Sequence, residues 1–162
     1  MQSPVPTFER TLTAMSACLD KAEAWCAERG VDPAVLAGSR LFPDMFPLAK
    51  QVQVACDHAK GAAARLTGAD VPNHPDTEVT LADLRARIAK TVSYINGVDA
   101  AGFATADDRT INLKLRTREL NLPGTVYLSG FALPNFYFHA TTAYNIMRHN
   151  GVPLGKGDFM GA

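Results

Sequence analysis

The chain has 162 residues, 47% of them hydrophobic, and its 16 lysines and arginines are balanced by 16 aspartates and glutamates. That length suits one domain, residues 1–162, with a substantial core. A formal charge of zero sets up no field to attract nucleic acid, and no apolar run nears the ~20 residues of a membrane span.

The opening MQSPVPTFER lacks the basic-then-apolar order of a secretory signal, so a cytoplasmic protein is expected. The three cysteines, Cys18, Cys26 and Cys56, form no CxxC pair and read as small buried hydrophobes in a reducing compartment.

Pro4 and Pro6 predict an extended start, with Thr7 capping the first helix. Phe8, Leu12, Met15, Leu19, Ala22 and Cys26 follow at helical spacing, and Gly30 is the stop, giving a helix over 7–29. Asp32-Pro33 opens a short helical turn. Pro43 and Pro47 break regular structure, and a second helix runs over 46–67 to Gly68. Val52, Ala55, Ala59, Ala62, Ala63 and Leu66 mark its inner side. Its alanines and Gly61 predict close approach by another helix. His58 lies on or beside this inner face, with Gln51 two turns earlier on the same line.

Residues 69–79 are loop by composition, which predicts an exposed His74. Thr80 with Asp83 starts a third helix over 80–96, with Arg85, Arg87 and Lys90 on its wet side. Ile111, Leu113 and Leu115 alternate with polar residues as a strand does. Residues 121–124 read as a turn, and 125–128 as the returning strand of a small hairpin. The other reading of 127–133 is a helical run-in kinked at Pro134.

The last helix, 134–150, is the most aromatic stretch. Pro134 suits its first turn and Gly151 its end, while Arg148 and His149 complement the carbonyl pole. Phe136, His139, Ala143 and Ile146 share one face. The four long helices together predict an all-α four-helix bundle.

A lone inward histidine is ordinarily a core group satisfied by a hydrogen bond. Two histidines on different helices, His58 and His139, are a more specific signal, because bundle cores build ligand and metal sites from facing helices. Gln51, Asn135, Phe136 and Tyr144 are the expected neighbours in a pocket for a small molecule. Phe138 and Trp25 complete its aromatic wall.

The runs QVQVACDHAKGAAARL and FALPNFYFHATTAYNIMRHNGVPLGKGDFMG resemble a bacterial domain-of-unknown-function family within the DinB/YfiT-like metalloenzyme superfamily. The resemblance covers nearly the whole chain. It implies a four-helix bundle with a long connection, homodimerisation, and a divalent metal such as zinc or nickel. In that superfamily the metal is held by one histidine on the second bundle helix and two on the fourth, three residues apart. His58 and His139 match two of these ligands. The third position falls on Asn135 or Ala143, so the HxxxH pair is absent. His149 lies about 15 Å along the helix from His139, too far to substitute.

By resemblance the function is a metal- or histidine-dependent enzyme acting on a small molecule, of the thiol-dependent transferase, isomerase or hydrolase type. The alternative is a non-catalytic small-molecule-binding or stress-associated module that has lost the three-histidine site.

Overall fold

The computed structural model describes residues 1–162. Four long helices carry it: α1 (Val5–Arg29), α3 (Leu48–Thr67), α4 (Leu81–Asn96) and α6 (Leu133–His149). Between α1 and α3 lies the short α2 (Pro33–Gly38). In the bundle α1 packs on α4 and α6, and α3 on the same two, so α1 and α3 are diagonal partners. One apolar core of 34 buried residues runs through the bundle. No helix is long and apolar enough to cross a membrane.

The helix ends follow local chemistry, with one correction. The two early prolines do not hold the start extended, and Thr7 does not cap. Instead Pro4 is the N-cap, Pro6 sits in the first turn, and the Pro4 carbonyl accepts from Thr7 and Phe8 N–H. A first-turn proline forfeits no hydrogen bond, because its N–H would have had no intrahelical partner. At α4 the expected start holds. Asp83 N–H donates to Thr80 Oγ1 and Thr80 N–H to Asp83 Oδ2, a reciprocal capping box.

Between α4 and α6 stands an antiparallel hairpin, β1 (Thr110–Lys114) with β2 (Glu119–Pro123), in which Asn112 faces Asn121. The returning strand thus falls on the residues expected to turn. Residues 125–128 are helical. They join α5 (Gly124–Tyr127) and a π-helical turn, Leu128–Ala132, that leads directly into α6. The helical run-in is therefore the correct reading. Pro134 explains the wide turn. It has no N–H to offer the Gly130 carbonyl four residues back, and the ladder locally shifts to i→i+5, as in Leu133 N–H to Leu128 O. Gly124 is fixed by crowding, since a Cβ there would stand 1.9 Å from the Ala106 carbonyl oxygen.

The tail folds back as α7 (Lys156–Met160) onto α1, where Phe159 meets Tyr144 with ring centroids 5.7 Å apart.

Two expectations about charge fail together. His74 is buried rather than exposed, and Arg87 is not on a wet side; its side chain is 1% accessible. Arg87 reaches the Pro75 carbonyl at 3.0 Å, Glu78 at 3.1 Å and Asp57 of α3 at 2.8 Å. This guanidinium pins the 69–79 loop over α3 and α4, and the pinned loop covers His74. The cysteines behave as expected. All three are buried and free, and burial pushes the thiols of Cys18 and Cys56 up to about 11 and about 12.

Candidate functional site

The site lies between α3 and α6, next to the π turn. His58 from α3 and His139 from α6 face each other with ring centroids 5.8 Å apart and planes only 12° from parallel. Phe46 lies nearly parallel to His139 at 6.3 Å, and Phe131 meets His58 edge-on at 5.9 Å. Phe138 closes on His139 at 5.2 Å, almost perpendicular. The result is a short aromatic column with two imidazoles at its centre. His139 is 9% exposed, whereas Phe46 and Phe138 are 49% and 57% exposed. On the His58 side a cleft of about 220 Å³ opens. It is bounded by Arg65, Phe131 and the hairpin residues Leu113, Lys114 and Leu115.

Gln51 sets the state of His139. Its Nε2 donates to the Phe46 carbonyl at 3.1 Å, so its Oε1 is the atom that meets His139 Nδ1, at 2.7 Å. An amide oxygen can only accept, so Nδ1 carries the proton and donates. In the neutral ring Nε2 is then the free lone pair. Gln51 is itself buried, which makes this orientation costly to abandon.

Both rings are held neutral. Burial lowers the His139 pKa, and the Lys50 ammonium adds to the effect. Burial also pulls His58 down to about 4; the charge of a protonated His139 and then Arg65 push the same way, against Asp57. Since the charge of one ring opposes protonation of the other, the pair accepts a first proton on His139 and resists a second.

Replacing Gln51 with leucine is expected to strip Nδ1 of its acceptor, at a cost of about 2 kcal/mol in unfolding free energy. Histidine ring ¹⁵N shifts check the assignment. The wild type should show the Nδ1–H tautomer at His139, and Gln51→Leu a mixture.

Of the residues expected around the pair, Gln51 touches it. Phe136 lies in the core against Phe8, with centroids 4.8 Å apart, and Tyr144 packs on α7. Trp25 stands beside Gly151, across the bundle from α3. The cause is helix geometry. Tyr144 is five residues past His139, about 140° around the axis, and Phe136 is about 60° away. Phe138 alone of the expected aromatic wall reaches an imidazole. Asn135 is one turn from His139, but its Nδ2 donates to the Phe131 carbonyl at 2.7 Å.

Arg65, Phe46 and Phe131 belong to the site without having been expected. Arg65 had a visible signal, because Gln51, His58 and Arg65 are spaced by seven and so share one line of α3. Phe46 and Phe131 had none, as one sits in a loop and the other in the π turn.

A resident zinc or nickel does not fit this donor set. No three His, Cys, Asp or Glu side chains cluster so as to hold a metal ion. Two imidazoles are one protein ligand short of a catalytic zinc site. The nearest carboxylate, Asp57, has Oδ1 bound to Lys60 at 2.9 Å and to Arg87 at 2.8 Å.

A four-helix bundle with stacked imidazoles from its second and fourth long helices, one of them bordering a cleft, is the architecture of a DinB-like protein. The crystal structure of a DinB family member from Shewanella denitrificans matches it with a TM-score of 0.90 and 46% sequence identity, over 98% of this chain and 89% of that one. The model of a domain of unknown function, DUF1993, matches residues 1–160, and the chain belongs to that family. No curated protein matches the chain.

Proposed function

We propose that the protein is an enzyme acting on a small molecule without a resident metal, with the His58–His139 pair accepting a proton from a thiol or water nucleophile. The observation that carries this reading is the Phe46–Gln51–His139 hydrogen-bond chain, which leaves the Nε2 lone pair of His139 without a protein partner in a neutral, largely buried ring. A buried glutamine that orients an imidazole plays the part that the third member of a catalytic triad plays for its histidine.

In this reading the S–H or O–H proton passes to Nε2 as the nucleophile attacks the bound electrophile. The imidazolium then returns that proton to a basic leaving group, or to water where the group leaves as chloride. A thiol, with an ordinary pKa of about 8.5, is the easier of the two to activate. His58 stays neutral throughout, because the charge on His139 opposes a second proton, and it serves as a hydrogen-bonding wall. Burial keeps the pair unprotonated near neutral pH and therefore ready to act as a base.

A non-catalytic binding module is the second reading. It is favoured by the third-ligand position, which falls on Asn135 or Ala143: alanine offers no donor, and Asn135 is engaged with its own helix.

The test follows the addition of a small thiol to 1-chloro-2,4-dinitrobenzene and the hydrolysis of p-nitrophenyl acetate from pH 5 to 8. A rate above buffer that rises with pH and falls about a hundredfold in His139→Asn is expected. An unchanged rate in that variant overturns the proton-acceptor role. Zinc or nickel at stoichiometric level in untagged protein overturns the metal-independent mechanism.

A further inference from the structure

We infer that Arg65 is an anion anchor for the His58 cleft, so that the molecule bound there carries a carboxylate or a phosphate about one helical turn from the imidazoles. This names the substrate class for the site proposed above and rests on that reading.

Arg65 is the one fixed cation of this cleft that lacks a carboxylate partner. Each of its neighbours is accounted for. Asp57 also borders the cleft, but Lys60 and Arg87 both sit on its Oδ1. Lys114 leans on Glu119 at 4.0 Å, and both of those side chains are exposed. Arg65 has a single hydrogen bond, from Nη1 to the Tyr127 hydroxyl at 3.3 Å, and no carboxylate within ion-pair distance. A planar guanidinium presents five N–H donors, so most of this fork is left for a ligand.

The position of the fork is built into the helix. Arg65 is in the last turn of α3, where an arginine ordinarily serves the orphaned carbonyls of the C-terminus. Here it folds the other way. A Cβ placed on Gly61 would stand 2.3 Å from Nη1, so the missing side chain at 61 is the seat of the guanidinium. Gly61 does not serve the approach of a second helix. It lies three residues beyond His58, roughly 4.5 Å along the axis. Arg65 and His58 border the same cleft, and the Arg65 charge acts on the His58 ring. A second cleft, bordered by Lys60, Asn73 and His74, shares Asp57 and Arg65 with the first. The fork therefore stands where the two meet.

The experiment titrates the intact protein with benzoate, phenyl phosphate and neutral benzamide, following the His58 and His139 ring resonances by NMR. At least one anion should shift the His58 resonance saturably, and benzamide should not. The better anion identifies the charged group. Its Kd should rise at least tenfold in Arg65→Gln and also in Gly61→Ala, with partial recovery in Arg65→Lys. Gly61→Ala keeps the charge and improves helix propensity, so its thermal midpoint should hold or rise while binding falls.

Equal Kd values in wild type, Arg65→Gln and Gly61→Ala overturn the anchor, as does the absence of saturable shifts with both anions. The two readings fail separately. Loss of anion binding in the Arg65 variants together with unchanged turnover in His139→Asn removes the base and keeps the anchor. Loss of turnover in His139→Asn with unchanged anion binding in Arg65→Gln does the reverse.

Discussion

Replacing Arg87 with methionine is expected to lower the unfolding free energy by about 3 kcal/mol, readable as a shift of the urea midpoint at constant slope. The guanidinium is almost wholly enclosed and binds Asp57, Glu78 and the Pro75 carbonyl at once. Methionine fills much of the same volume, so the loss is of charge pairing rather than of packing. What remains is Glu78, whose side chain is 11% accessible, with only Gln53 as a partner. A buried carboxylate without its cation is costly, whereas the partly exposed Asp57 and Asp76 can turn to water, and this keeps the value at the lower end for a broken buried pair.

The same substitution reaches the site. Asp57 would keep only Lys60, and its less compensated charge would raise the His58 pKa. Lysine at position 87 should recover little, because one ammonium cannot span a carbonyl on the loop and a carboxylate on α3 in the way a fork does.

Stability is expected to fall by about 3 kcal/mol as the pH drops from 6.5 to 4, with His58 as its largest single source. An imidazole in the unfolded chain titrates near 6.5, as the reference value gives. In the folded chain burial, followed by repulsion from a protonated His139, holds His58 down to about 4. Between these values the unfolded chain binds a proton that the folded chain refuses, so acid favours unfolding. Above about pH 6.5 both states are neutral at this ring and the full stability is present. His139 and His74 are lowered by burial too and act with the same sign. Urea unfolding at pH 7, 5.5 and 4.5 for wild type and His58→Gln separates the contribution. The variant should show a markedly flatter dependence. Identical slopes would mean that His58 titrates normally when folded.

The helices were legible because their evidence is local. Apolar residues at spacings of three and four over 8–26, 52–66 and 81–95 leave one face dry, and capping chemistry at Thr80 and Asp32 marks the starts. The histidine pair was legible for the same reason, since each ring lies on or beside an inner face of its own helix. The hairpin was only half legible. Alternation identified β1, but β2 at Glu119–Pro123 carries proline and asparagine, and its pairing partner rather than its composition makes it a strand. Arg87 was misjudged because a charged residue at the edge of an apolar stripe is ordinarily wet. Its burial depends on Asp57, thirty residues earlier, and on a loop folded over both.

By itself, then, the order of residues determined four amphipathic helices and two imidazoles facing inward, because side-chain periodicity and capping act over one or two turns. Tertiary structure decided what surrounds those rings. Phe46 and Phe131 come from a loop and a π turn, the packing of α3 directly on α6 brings Gln51 to His139, and Arg65 is drawn beside His58 by a gap at Gly61 and a hydroxyl sixty-two residues away. Contacts of that range depend on how helices pack against one another, and packing is settled by the fit of whole surfaces, which no short stretch of sequence contains.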